Sequence, residues 1–143
     1  MTEGQAIEAL SAAFVAGWEA AEPAVPFALD NELVTLPTSG SFAAFNTLFT
    51  TSQQMTQGAP STRRVRRQGW IQVKIWTPAG DRSQTAAGLA GTCRDIFELK
   101  TFDGPIFGEE PITVQSGWYA PVSNDGRWYI VLSRFPFWFA ETR

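Results

Sequence analysis

The alternation of apolar and polar residues is most regular over residues 63–76, where a group of four arginines leads into it. Val65, Ile71, Val73 and Ile75 occupy one set of alternate positions together with Gly69. A period of two is typical of a β-strand, because successive side chains point to opposite sides of a sheet. The pattern predicts a strand with one buried face and one solvated face. The solvated face carries Arg64, Arg66, Gln68, Trp70, Gln72, Lys74 and Trp76.

Two tryptophans on that solvated face allow two interpretations. Large exposed aromatic side chains often mark contact surfaces, so Trp70 and Trp76 would anchor a partner protein. Alternatively, a helix of the same chain covers them. The sequence favours neither interpretation.

Two other segments have the period of an amphipathic helix. The first begins with the Thr2-to-Gln5 spacing of a capping box and ends before Pro23. The second follows Asp81 or Ser83, either of which suits an N-cap. The predicted buried stripes are Ile7, Leu10, Phe14 and Trp18 in the first helix, and Ala86, Leu89, Ala90, Cys93, Ile96 and Phe97 in the second.

Further strands are predicted on both sides of the second helix. Residues 42–53 fit either a helical or an extended period, and their aromatic and threonine content favours a strand. Residues 123–126, Ser-Asn-Asp-Gly, carry a hairpin signal. The preceding strand is predicted to point Ile112, Val114, Trp118 and Val122 inward.

The last predicted strand ends in an aromatic group around Pro136. Proline has no backbone N–H to donate to a neighbouring strand. This end of the chain is therefore predicted to lie at a sheet edge or to leave the sheet.

Together these elements predict an α+β fold, with a small, mostly antiparallel β-sheet and two helices packed on one face. A length of 143 residues suits one domain, residues 1–143. Residues 53–64 are polar, contain glycine and proline, and are predicted to form a flexible connection between two strands.

The absence of histidine narrows the possible chemistry. It excludes a Ser-His-Asp or Cys-His pair, and a single cysteine, Cys93, excludes thiolate clusters. No phosphate loop, calcium loop or dinucleotide motif is present. We therefore expect no enzyme and no catalytic, cofactor-binding or metal-binding residues, although distant paired carboxylates remain an open alternative. Cys93 is expected to be buried.

Neither a membrane span nor a secretory signal is visible in the sequence. No run of about 18 uncharged apolar residues occurs, so no association with a membrane is expected. The first residues lack a basic region followed by an apolar one, which predicts synthesis in the cytoplasm without export.

Charge is unevenly distributed along the chain. Residues 1–62 contain six acidic and no basic residues, whereas residues 63–143 contain eleven basic and eight acidic residues, so the two parts carry −6 and +3. This polarity suits head-to-tail association between copies. The total of −3 lacks the basic excess that is typical of duplex-binding domains.

Four segments stand out together by their order and spacing: AIEALSAAFVAGWEAAEPAVPFALDNE (6–32), RRVRRQGWIQVKIWTPAG (63–80), TAAGLAGTCRDIFE (85–98) and DGRWYIVLSRFPFWF (125–139). In these segments and in their order, the chain resembles the tail terminator-like family of tailed bacteriophages. The similarity covers nearly the whole chain, and the order and spacing of the segments are more specific than any one of them.

This resemblance implies a structural virion protein at the head-proximal end of the tail, synthesised in the host cytoplasm. The resemblance implies that the protein assembles as a homohexameric ring. This ring would sit on the tail tube protein, stop tube polymerisation and present its other side to a head completion or connector protein. DNA would only pass through the lumen. No catalytic residue is implied.

The four arginines are then expected to reach toward a neighbouring subunit or the tube. A solvated strand end and contact with the passing DNA are the alternative interpretations. The predicted protein-interface residues are Arg63, Arg64, Arg66, Arg67, Trp70, Trp76, Phe137 and Trp138.

Two alternative functions stay open on sequence grounds. One is another connector or tube ring protein of the same virion, and a tube subunit would polymerise on its own at high concentration. The other is a small nucleic-acid-binding domain that uses Arg63 to Arg67, whose affinity for DNA would fall steeply with salt.

Overall fold

A computed structural model describes residues 1–30, 32, 35–81, 83–104, 108–124 and 126–143. Within these residues the chain forms two helices and seven strands. The helices are α1 (Glu3–Ala21) and α2 (Ser83–Phe97). The strands are β1 (Phe27–Ala28), β2 (Phe42–Gln54), β3 (Arg64–Pro78), β4 (Thr101–Phe102), β5 (Ile112–Val114), β6 (Trp118–Asn124) and β7 (Trp128–Thr142).

Helix α1 begins at the predicted capping box. The Gln5 backbone N–H donates to Thr2 Oγ1 at 3.2 Å, and the Thr2 N–H donates to Gln5 Oε1 at 2.8 Å. These two bonds satisfy donors that would otherwise lack partners at the helix start. Three predicted core positions are buried, whereas Ile7 is only half-buried and Ala6 lies in the core in its place.

Helix α2 buries all six of its predicted apolar positions. It packs against α1 and against strands β3 and β7. Cys93 is fully buried, as expected, and burial raises the pKa of its thiol. The thiol therefore stays protonated and inert in the folded protein.

The strands form one curled, mixed sheet that resembles a half-barrel. Its order is β1-β2-β3-β7-β5-β4, and β6 also pairs with β7. The long strands β2, β3 and β7 are antiparallel neighbours, while β1 runs parallel to β2. β7 lies at the centre, because β3 pairs with one of its edges and β6 and β5 share the other.

The predicted fold class is wrong. The fold is dominated by its sheet, with 42% strand and 25% helix, and the sheet is a mixed half-barrel rather than a small, mostly antiparallel layer. The sequence period identified individual strands. This period gives no information on the parallel pairing of β1 with β2, or on the pairing of β5 and β6 with the same edge of β7. Both pairings depend on partners that are distant in sequence.

Apolar side chains pack in two clusters, one on each face of the sheet. On the helix side, Phe45 stacks against both Phe14 and Phe97, with ring centroids 5.0 and 5.9 Å away, and Phe14 and Phe97 also contact each other. A smaller cluster lies on the opposite face, where Phe42 and Trp76 are cross-strand neighbours with ring centroids 5.7 Å apart. This second cluster consists of Ala28, Phe42, Trp76, Trp128 and Ile130.

The position of Pro136 corrects a second prediction. Pro136 lies in the central strand β7 and not at an edge, since its register partner on β3 is Trp70. Its carbonyl accepts a bond from Gln115 N–H at 2.8 Å, so its missing donor lies on the β5–β6 side. There, β6 pairing stops at Arg134 and β5 pairing starts at Phe137. The proline is accommodated because no strand partner is required at this break.

The same break explains a third difference. Ile112 and Val114 are buried as predicted, but Trp118 and Val122 are 47% and 55% exposed. The chain leaves the alternating pattern between β5 and β6, around Gly117. The prediction counted alternate positions straight through this break, and it therefore placed Trp118 on the wrong face of the sheet.

Residues 55–63 connect β2 to β3, which is shorter than predicted because residues 53, 54 and 64 lie in strands. At the base of this connection, Arg63 and Arg143 exchange two backbone hydrogen bonds of 3.0 and 2.7 Å. The predicted hairpin between β6 and β7 is present. The flexibility of the connection and the one-domain organisation stay predictions.

Candidate protein-interaction surface

One face of β3, β6 and β7 lies opposite the helices. The register places Gln68 beside Trp138, Gln72 beside Arg134, and Arg134 beside Trp118. The second cluster fills one end of this face, and apart from the buried Ala140 the rest is half-buried or exposed. We call this remaining part the open face and define it by Arg66, Gln68, Trp70, Trp118, Arg134 and Trp138.

Two tryptophans form the aromatic centre of the open face. The rings of Trp70 and Trp118 meet edge to face, with centroids 5.1 Å apart and an interplanar angle of 78°. Trp118 keeps 47% of its surface exposed. A rigid, partly exposed aromatic pair suits a protein contact, because aromatic side chains supply large area with few rotatable bonds.

Arg66 adds a cation beside this centre. Its guanidinium lies over the Trp138 ring, 4.4 Å from the centroid. A cation over an aromatic face is attracted by the ring quadrupole. The Nε atom of Arg66 is buried without a hydrogen-bond partner, and the residue lines a cavity of about 170 Å³ with Trp70 and Trp138.

The four predicted arginines have different environments. Arg67 lies on the helix side and donates to Glu141 Oε2 at 2.7 Å, while Arg64 forms an exposed ion pair with Glu110. Arg63 Nε donates to the Gly58 carbonyl at 2.8 Å. Arg66 alone among the four has neither an ion pair nor a side-chain hydrogen bond within the described residues. The structure therefore separates a group that is continuous in sequence.

Glu141, the partner of Arg67, has a pKa that is set by burial and by its arginine neighbours. Burial alone would raise the pKa of Glu141, which is 6% exposed. The hydrogen bond and charge of Arg67, with a smaller contribution from Arg143, outweigh burial and hold the pKa of Glu141 below its ordinary value. Glu141 is therefore ionised at neutral pH, and the Arg67 pair belongs to the fold of this monomer.

Two predicted interface residues have little surface to offer a partner. Phe137 is 2% exposed in the main core, and Trp76 is 9% exposed in the second cluster. Trp76 lies on the predicted face of β3, but residues of β2 and β7 cover it rather than a helix. Trp70 and Trp138 are half-buried on the open face.

Sequence reasoning missed two residues of this surface, Trp118 and Arg134. Trp118 was assigned inward by a count that crossed the break at Gly117. Arg134 had a usable signal, because it alternates with the buried positions Ser133 and Phe135 in β7. Its Nε atom is also buried without a partner.

The described residues contain no group of three or more carboxylate or cysteine side chains positioned to hold a metal ion. None of the helices described is long and apolar enough to cross a membrane.

Comparisons with known proteins give structural likeness only. No protein-family model matches the chain, and no curated protein matches it significantly. A solved structure without a functional name superposes with a TM-score of 0.74 at 19% identity, covering 100% of this chain and 98% of the other. A chain from the virion of a native gene transfer agent particle superposes with a TM-score of 0.55 at 10% identity, covering 96% of each chain. The chain thus shares a complete fold with a component of that particle.

Proposed function

We propose that this protein is a structural component of a phage-like virion, which forms a ring on the end of a tail tube. The ring stops further tube growth and presents its other side to the proteins that join head and tail. The observation that supports this most directly is the shared fold with a gene transfer agent virion chain, over 96% of both chains. The ordered resemblance to tail terminator-like sequences supports the more specific role.

The open face supports a function in association. Cation and aromatic groups together suit protein contacts, in which arginine and tryptophan are enriched. Trp70, Trp118 and Arg66 form such a group on a surface that the helices leave free. A terminator needs contact surfaces of this kind for its neighbours in the ring and for the tube below it.

The edge of the sheet gives a second physical reason for a ring. Among the described residues, β2 pairs with β1 only at Ala43 and Ala44, so residues 45–54 run along an edge of the described sheet. Asp30 covers one point by accepting a bond from Thr47 N–H at 3.1 Å. An uncovered edge invites pairing with other chains, and closure of a ring would protect it.

The proposed partners are further copies of this chain in a hexamer, a tail tube protein, and a head completion or connector protein. DNA would pass through the lumen without sequence-specific contact. The proposed location is the head-proximal end of the tail, and the proposed activity is assembly rather than catalysis.

Electron microscopy of the purified protein with tube subunits of the same virion tests the proposal. We expect rings at tube ends and tubes that stop growing when the protein is added. Continuous polymerisation of this protein by itself would indicate a tube subunit instead. DNA binding that weakens steeply with salt, without any binding to tubes, would favour the nucleic-acid alternative.

A further inference from the structure

We propose that the open face of one copy binds the solvent-exposed side of helix α1 in the next copy. This inference rests on the proposed function, because it identifies the surfaces that join neighbouring subunits. The two surfaces lie on opposite sides of the molecule, since α1 packs against the other face of the sheet.

The strands of the open face supply positive charge, and the carboxylates of Asp30 and Glu32 line a cavity beside Lys74 rather than beside Arg66 or Arg134. On the outward positions of β3, β6 and β7, the described residues include Arg64, Arg66, Lys74 and Arg134 and no carboxylate. Arg64 is paired with Glu110. Arg66 and Arg134 form no ion pair within the described residues, and the Nε atom of each is buried without a hydrogen-bond partner. Neither guanidinium charge is therefore matched by a carboxylate of the same molecule within the described residues, and both side chains remain partly exposed.

Helix α1 supplies the complementary charge. Glu8, Ala12 and Glu19 are exposed, and Ala12 lies opposite the stripe that faces the core. Residues eleven apart in a helix lie within about 20° of the same direction, so Glu8 and Glu19 share one side. No basic residue occurs in the whole helix, and neither glutamate forms an ion pair within the described residues.

The spacing of the charges on the two surfaces is similar. Arg134 is level with Gln72 on the neighbouring strand, which places it six residues along the strands from Arg66, or about 20 Å. Glu8 and Glu19 are about 16 Å apart along the helix axis. Long arginine and glutamate side chains can span the remaining difference.

Between the charged positions, the two surfaces also differ in shape. The open face presents the bulky Trp70–Trp118 pair, whereas α1 presents small side chains at Ala12 and Ala16. Small residues allow close approach of bulky rings. Contact between two different surfaces is heterologous, and such contacts produce rings when the rotation closes.

Charge reversal on each side gives the test. One variant carries Arg66→Glu and Arg134→Glu, and the other carries Glu8→Lys and Glu19→Lys. Each alone places like charges on both surfaces, so we expect self-association to fall by at least about tenfold per reversed pair. Mixing the two variants restores opposite charges at every contact and should restore assembly. Light scattering and negative-stain imaging measure both effects.

The matched control for the α1 variant is Asp81→Lys with Asp103→Lys, which changes the net charge by the same amount and sign at exposed positions outside α1. This control should assemble like the wild type. Circular dichroism checks that each variant folds.

Disulfide trapping tests the contact without charge reversal. A variant with Ala12→Cys and Ala120→Cys, the latter at an exposed β6 position two residues from Trp118, should give a ladder of cross-linked multimers on oxidation, whereas either substitution alone should give no ladder. The native Cys93 is buried and does not compete.

The outcomes separate this inference from the proposed function. Rings of wild-type protein on tubes, with both reversed variants assembling normally, would overturn the inference and leave the proposed function standing. Failure of the mixed variants to assemble, together with no cross-linked multimers, would also overturn it. Wild-type protein that never associates, alone or on tubes, would overturn both.

Discussion

At the scale of single residues, Arg67 and Glu141 illustrate how a charge that looked available for a partner became part of the fold. Glu141 is almost fully buried in β7, and its charge is stabilised there mainly by Arg67 at 2.7 Å, with Arg143 at 3.3 Å as a second partner. A buried carboxylate without such a partner would be strongly destabilising.

Glu141→Gln removes this ion pair and should lower the free energy of unfolding by about 1–3 kcal/mol at pH 7. The lowered pKa of Glu141 sets the sign of the pH dependence. The stabilisation is fully present above the ordinary carboxyl pKa and is lost as pH falls through the lowered one. Urea denaturation of wild type and variant from pH 7 to pH 2.5 should show the difference shrinking in acid.

Glu110→Gln is the matched control, since it breaks the Arg64 ion pair, in which both side chains are about 40–45% exposed. Exposed pairs contribute about 0–1 kcal/mol. Equal effects of the two substitutions at every pH would contradict the distinction between them.

At the scale of elements, the β2–β3 pair depends on close backbone approach at Gly69. The register shifts between Phe49 and Thr51, directly opposite this glycine. A Cβ atom at Gly69 would lie 2.8 Å from Phe137 Cζ and closer still to the Leu48 carbonyl oxygen. The glycine therefore lets the bulged strand and the core aromatic approach each other.

Gly69→Ala should destabilise the protein by about 1–3 kcal/mol, because the added methyl group forces Phe137 or the strand to move. Thermal and urea unfolding measure the change. Gly88→Ala is the control. This position lies in α2 with nothing within 4 Å of the added Cβ, so the gain in helix propensity should stabilise by up to about 1 kcal/mol. An unchanged or increased stability of Gly69→Ala would contradict the close-approach argument.

At the scale of the whole molecule, the tryptophans of the sheet have two different roles. Some stabilise the fold, and others are expected to bind a partner. Trp76 fills the second cluster, and Trp118 projects from the open face with 47% of its surface exposed. The exposed area of Trp118 is large enough to matter in an interface, whereas Trp76 has already been removed from water by folding.

Trp76→Ala should cost about 3–5 kcal/mol of stability, as is usual for truncation of a large core side chain. Trp118→Ala should cost about 1 kcal/mol or less, mainly through loss of the Trp70 contact. Its principal effect should appear in assembly. Unfolding curves and light scattering on both variants separate the two roles, and strong destabilisation by Trp118→Ala with unchanged assembly would contradict them.

The sequence by itself determined the local conformations of much of the chain. The capping box at Thr2, the helical spacing of the six apolar positions of α2 and the β6–β7 hairpin are properties of residues that are close in sequence. Such patterns are legible because helix and strand periods and cap geometry are local properties. The uneven charge was also visible, since it is a matter of composition.

Only the tertiary structure decided which residues share a surface. The half-barrel, the central position of β7 and the burial of Trp76 depend on strands that meet across long stretches of sequence. The break around Gly117 and the pairing of Arg67 with a residue 74 positions away depend on the same contacts. A local period shows that a side chain faces one side of its strand, whereas the packing of distant elements determines whether that side is core, ion pair or open surface.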